Sequence, residues 1–147
     1  MSDSLSAVLL DPSKRPAVEQ ACVGLIEAEV AGKRGVSGLA IKAAFKVVKK
    51  LRPDIITRVI SDLLPEFVES MEGVYQDCKT SGAAIDTFIQ GNSARVIRDL
   101  LQVTDKRAKT SKNPTLVSAY KKLRPIAEAQ VGAALPRLGT LLRNQGV

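Results

Sequence analysis

The side chains of this chain best equipped to do chemistry are its cations. Residues 33–52 hold Lys33, Arg34, Lys42, Lys46, Lys49, Lys50 and Arg52, with no acid among them. Residues 106–124 hold Lys106, Arg107, Lys109, Lys112, Lys121, Lys122 and Arg124, again with no acid. These two stretches contain most of the 22 basic residues of a chain whose net charge is +7. Lys42, Lys46 and Lys49 stand at i, i+4 and i+7, which places them on one side of a helix. A stripe of one sign raises the local potential and draws polyanions. The plainer alternative is a solvated helix face, with lysines near a helix C-terminus favoured by its dipole.

Other groups offer less. Gly32-Lys33-Arg34-Gly35-Val36-Ser37-Gly38 is a basic, glycine-rich loop whose amides could meet a phosphate at a helix start. It is not a P-loop: Arg34 stands where Ser or Thr is required, and Glu27 where a glycine is. It reads more simply as an interhelical turn, with Gly32 as a stop and Ser37 as a cap. Asp62, Glu66 and Glu69 are spaced to share a helix face, but acids on such faces are routine and no second cluster accompanies them. Cys22 and Cys78 fall in phase with apolar residues and read as small buried hydrophobes. They are expected as reduced thiols, a Cys22–Cys78 disulfide being the lesser alternative. The sequence has no histidine, so Ser-His-Asp and Cys-His nucleophiles and histidine metal sites are excluded within the chain. No catalytic residue, metal or cofactor is assigned, and the chain reads as non-enzymatic.

Composition frames what must position these groups. The chain has 147 residues, 45% hydrophobic and 25% charged, the balance of an ordinary globular domain. It reads as one helical domain over 1–147. No run approaches the ~18 apolar residues of a membrane span. Met1-Ser2-Asp3-Ser4 is polar and acidic, and only a short apolar patch, Ala7 to Leu10, follows. That is unlike a secretory signal, so a cytoplasmic location is expected.

Helical periodicity dominates. Ile55, Ile56, Val59, Ile60, Leu63, Leu64, Phe67, Val68, Met71, Val74, Tyr75 and Cys78 predict a long amphipathic helix over 54–78, kinked or broken at Leu64 by Pro65. Val18 to Val30 predicts a helix opened by Pro16. Ala40, Ile41, Ala44, Phe45, Val48 and Leu51 predict the buried stripe of the next, ended by Pro53. Ile85 to Ile89 predicts a short helix, and Val96 to Val103 one capped by Asn92 or Ser93. Asn113-Pro114 predicts the start of a helix through Leu123, and Pro125 the start of a last one, interrupted at Pro136. No period-2 alternation predicts a strand. Lys49-Lys50-Leu51-Arg52-Pro53 recurs as Lys121-Lys122-Leu123-Arg124-Pro125, which suggests an internal repeat of 16–78 and 84–145. The fold expected is all-α: a compact bundle of about seven helices, built as two related three-helix halves with pseudo-twofold symmetry plus an N-terminal extension.

Five segments, in order, carry a family likeness. They are Leu9-Leu10-Asp11-Pro12-Ser13-Lys14-Arg15-Pro16, Gly35-Val36-Ser37-Gly38, Leu63-Leu64-Pro65-Glu66-Phe67, Val103-Thr104-Asp105-Lys106-Arg107-Ala108 and Ala134-Leu135-Pro136-Arg137-Leu138-Gly139. Together they resemble a family of small bacterial proteins classed as a domain of unknown function. The resemblance implies a free-standing, bacterial, helical protein and brings no activity or site residue with it.

The leading expectation is a small binding module that engages an anionic partner through the two basic stretches. The candidate anion-binding residues are Lys33, Arg34, Lys42, Lys46, Lys49, Lys50, Arg52, Lys106, Arg107, Lys109, Lys121, Lys122 and Arg124. Nucleic-acid backbone, bound without base reading, comes first and an acidic protein surface second. Phe45, Phe67, Phe88, Tyr75 and Tyr120 are the only aromatics and sit mostly in apolar stripes, which leaves little for base stacking. The alternatives are a homodimeric or other protein-interaction module, and a carrier of a small apolar ligand or lipid in a cavity between kinked helices. Peripheral membrane contact stays open, best suited to the last helix with Arg137 and Arg143.

Overall fold

A computed structural model describes residues 4–147; Met1, Ser2 and Asp3 of the acidic start lie outside the described residues. The fold is all-α. Eight helices follow in order: α1 (Leu5–Leu9), α2 (Arg15–Gly32), α3 (Gly35–Leu51), α4 (Ile55–Ser70), α5 (Glu72–Ser81), α6 (Ile85–Gly91), α7 (Ser93–Thr110) and α8 (Pro114–Asn144). No strand occurs among the described residues.

The short α1 is held at its start by two acceptors. Ser4 Oγ accepts from the Ala7 amide at 3.0 Å, and Glu72 Oε1 accepts from the Leu5 amide at 2.9 Å. Leu5 and Leu9, one turn apart, then enter the core. α8 starts as expected: the Asn113 side chain accepts from the Thr115 and Leu116 amides, with Pro114 in the first turn. Gly82, at φ +76°, ends α5 in the left-handed conformation that suits glycine.

Three expected boundaries are corrected. Pro65 does not break its helix at Leu64; α4 runs through it to Ser70, and the division falls at Met71. The physical reason is a borrowed donor. A proline at 65 cannot donate to the Ser61 carbonyl. Arg15 of α2 does so instead, its Nη2 lying 2.9 Å from that oxygen. Pro125 does not open a new helix either: α8 is continuous over Pro114–Asn144, with Pro125 and Pro136 inside it. Both prolines face solvent, so water can serve the carbonyls they leave without a partner, and packing against α2, α3, α6 and α7 holds the helix. The two Lys-Lys-Leu-Arg-Pro copies therefore differ in structure, the first ending α3 and the second lying within α8. Finally, Ser37 does not cap α3, which begins at Gly35 behind Arg34.

α8 is the spine. Its face from Leu135 to Leu142 meets a core that includes Leu5, Val18, Val74, Ile89 and Val96, each at 2% exposure or less. It approaches α6 so closely at Gly139 that a Cβ there would lie 2.7 Å from the Asp86 Cβ. Ion pairs Arg107–Glu66 and Arg95–Asp77 tie α7 to α4 and to α5. α3 is the most exposed of the long helices along its length, with Gly38, Ile41 and Val48 buried. The accessible surface of 8498 Å² exceeds the ~7,300 Å² of a compact monomer of this mass. Part of the excess is the exposed face of α3, and part lines an internal space.

Candidate functional site

That space is an apolar pocket of about 430 Å³, open to solvent over part of its boundary. It lies between α2, α4, α7 and α8, closed at one side by α1 and at another by Ile41 of α3. α8 supplies one wall through the periodic series Leu123, Ala127, Val131, Ala134, Leu138 and Leu142. Leu25, Leu64, Phe67 and Leu100 face that wall from the other helices. The α8 residues that line it run from Tyr120 to Leu142, about 33 Å of helix at ~1.5 Å per residue. The alternating three- and four-residue spacing that forms each helix thus also turns one side of each toward a common space.

Its polar lining residues are Glu29, Lys33, Thr104, Tyr120 and Gln130. Glu29 and Lys33 border it, and Glu29 holds two cations at once, Lys33 Nζ at 3.0 Å and Arg137 Nε at 2.6 Å. One carboxylate so fastens α2 to α8. At the Tyr120 end, Thr104 Oγ1 lies 2.8 Å from the Tyr120 hydroxyl. That hydroxyl donates to Asp105, and Arg124 grips the same carboxylate with Nε at 2.8 Å and Nη2 at 3.2 Å. The Arg124 fork, and then the Tyr120 hydroxyl, hold the Asp105 carboxyl below its usual range. Cys22 also borders the cavity; burial, helped by the charge of Glu19, pushes its thiol up to about 11. Cys78 is buried, and its Sγ lies 3.2 Å from the Ala83 carbonyl. Both cysteines are free.

The cations foreseen from the sequence divide into two groups. Lys33, Lys49, Arg52, Arg107 and Arg124 are engaged within the molecule, with Glu29, Glu27, Asp54, Glu66 and Asp105 respectively. Lys49 also lies 4.9 Å from the Phe45 ring centroid. Arg34, Lys42, Lys46, Lys50, Lys106, Lys109, Lys121 and Lys122 are exposed and make no ion pair within 4.0 Å among the described residues. Lys42, Lys46, Lys49 and Lys50 border a shallow groove between α3 and α2, floored by Val30 and Phe45. The glycine-rich loop shrinks to a two-residue turn, Lys33-Arg34. Gly35 takes φ +74° in it, and a Cβ on Gly38 would meet the Lys33 carbonyl carbon at 2.8 Å.

A cavity between kinked helices is among the expectations from sequence, without its lining residues. Sequence reasoning missed two features. The Tyr120–Asp105–Arg124 cluster joins residues on two helices that no short motif connects. On α3, Val36, Leu39, Val47 and Leu51 are 86%, 71%, 51% and 50% exposed, although Leu51 was placed in the buried stripe. The available signal was that α3 is apolar on more sides than one stripe can bury.

No helix among the described residues is long and apolar enough to cross a membrane. A family of unknown function, DUF6918, matches residues 5–145, and the chain belongs to it. No curated protein and no solved structure matches.

Proposed function

We propose that this member of a family of unknown function binds and carries an elongated apolar ligand, of the fatty-acyl class, in the cavity along α8. One observation carries the reading: a partly open pocket of about 430 Å³ with a wall almost wholly apolar. That volume falls in the ~300–1,000 Å³ range of small-molecule sites. Apolar wall left facing water is unfavourable at ~25 cal/mol per Å². A chain of methylenes returns the missing contacts at ~0.8 kcal/mol per buried CH₂. Of the charged and hydroxyl groups in the lining, Glu29 pairs with Lys33 and Arg137, and Tyr120 donates to Asp105, which Arg124 also holds. The free thiols fit a reducing compartment such as the cytoplasm.

The test is native mass spectrometry of the protein purified without organic solvent, followed by delipidation and titration with a fluorescent polyene fatty acid. An adduct of acyl-chain mass and saturable one-to-one binding are expected. A ligand-free mass together with no fatty-acid binding would overturn the proposal. A second reading, an anionic partner held by the basic stretches, is favoured by the unpaired Lys106, Lys109, Lys121 and Lys122. Its test is a fluorescence-anisotropy titration with a labelled duplex at low and moderate salt. Binding that weakens steeply with salt would support it.

A further inference from the structure

The exposed side of α3 is an apolar ridge edged by lysines. Val36, Ala40, Ala43, Val47 and Leu51 recur at three- and four-residue spacing and stay near one line along the helix at 100° per residue. Leu39 lies beside them, 71% exposed. Lys42, Lys46 and Lys50 form the adjoining i, i+4, i+8 row, all exposed and none in an ion pair among the described residues. The opposite side, Gly38, Ile41 and Val48, is buried and fixes the helix to the bundle. A soluble domain has no internal use for four large apolar side chains on one outer face.

We propose that α3 is a docking surface for an anionic lipid bilayer, lying in the membrane plane with the ridge among the acyl chains and the lysines at the headgroups. Charge complementarity selects this occupant. Of the seven cations in residues 33–52, Arg34, Lys42, Lys46 and Lys50 are exposed and outside the ion pairs of the described residues, matching an anionic leaflet. Lysine stems of this length cover apolar surface while their ammonium groups reach outward. A second copy of the chain fits less well: two α3 faces laid together would bring lysine rows into proximity with no acid on either helix to answer them. A nucleic-acid backbone would match the charge but leave the ridge in water. This inference goes beyond the cavity reading and does not depend on it.

The experiment is vesicle flotation of the full chain, using phosphatidylcholine alone and phosphatidylcholine with about one third phosphatidylglycerol. Binding is expected on the anionic vesicles only, weakening with salt. Changing Lys42, Lys46 and Lys50 together to Gln should weaken it on the order of 100-fold, about fivefold for each lysine. Leu39→Glu with Val47→Glu should abolish it, and Val36→Glu, at the most exposed position, should weaken it; all three sites point to solvent, so thermal melts should keep their parent midpoints. Absent flotation would overturn the proposal. So would flotation indifferent to the Leu39 and Val47 changes, or duplex binding in place of vesicle binding. A mass that rises with concentration through α3 without vesicle binding would overturn it in favour of a dimer. Fatty-acid titration of the same variants keeps the two readings separable, because the ridge residues do not line the cavity.

Discussion

Ala134 lies midway along the wall that α8 presents to the cavity. Replacing it with Leu adds three carbons to a space that has room for them. At ~0.8 kcal/mol per buried methylene the gain is at most about 2.4 kcal/mol. Fixing the new side chain costs about 0.5–1 kcal/mol. The delipidated variant should therefore be about 1.5 kcal/mol more stable than its parent. For a chain of this length that raises Tm by about 3–6 °C. A close-packed core would respond with the opposite sign, losing ~1–3 kcal/mol to overpacking. The same leucine occupies ligand space, so fatty-acid affinity should fall on the order of tenfold, the equivalent of about 1.4 kcal/mol. The stabilisation that saturating ligand gives the parent, about 2.7 kcal/mol at a hundred times Kd, should shrink in the variant. The assay is thermal denaturation followed by circular dichroism, with and without fatty acid. A lower Tm in the delipidated variant, with ligand binding unchanged, would refute the cavity.

Three further outcomes are expected. Arg15→Met should cost about 1–2 kcal/mol in urea denaturation, because it withdraws a charged donor from the Ser61 carbonyl; with Pro65→Ala present the cost should halve at least, since residue 65 then supplies its own amide, and equal costs would locate the value of Arg15 in its Glu19 pair instead. Asp105 is held below the usual carboxylate range, so its stabilising contribution is complete above the unfolded value near 3.9 and is lost as pH falls through the lowered folded value. Asp105→Asn should thus be less stable than the parent at neutral pH, and the difference should vanish in acid; a gap that persists at the lowest pH would contradict this. The Cys22 thiol, raised to about 11, should alkylate at pH 8 on the order of 100-fold more slowly than in the unfolded chain, and more slowly still with ligand bound, as followed by mass spectrometry.

Much of the fold was legible because it rests on patterns that one helix states by itself. The stripe from Ile55 to Cys78 is buried or half-buried along its length, and the cap at Asn113 works as its spelling suggests. What escaped depended on a second segment. Pro65 reads as a break until Arg15, on another helix, donates to Ser61. Pro125 reads as a start in the very words that end α3 at Pro53, and only the packing of α8 against its neighbours distinguishes them. The residues that line the pocket escaped for a related reason, although a cavity between kinked helices is among the expectations from sequence. Periodicity marks which residues face inward, but filled and empty interiors are spelled with the same Leu, Val and Ala. On α3 the apolar residues outnumber what one stripe can hide, and the side that loses the competition for burial is fixed by the neighbours, not by α3.

The bond from Arg15 to Ser61 also bears on the order in which the chain folds. A helix interrupted by proline lacks one rung of its own ladder, and here that rung belongs to α2. Before α2 docks, the region around Ser61 to Pro65 is a weak point at which α4 can fray or bend. Once α2 docks, the ladder is whole and α4 is straight enough to carry Leu63, Leu64 and Val68 into the core. α4 is thus a conditional helix, and its completion marks a tertiary event. Kinetically, mutations at Arg15 and in the second half of α4 should change the folding rate in the same proportion to their equilibrium effects, because they report on one docking step.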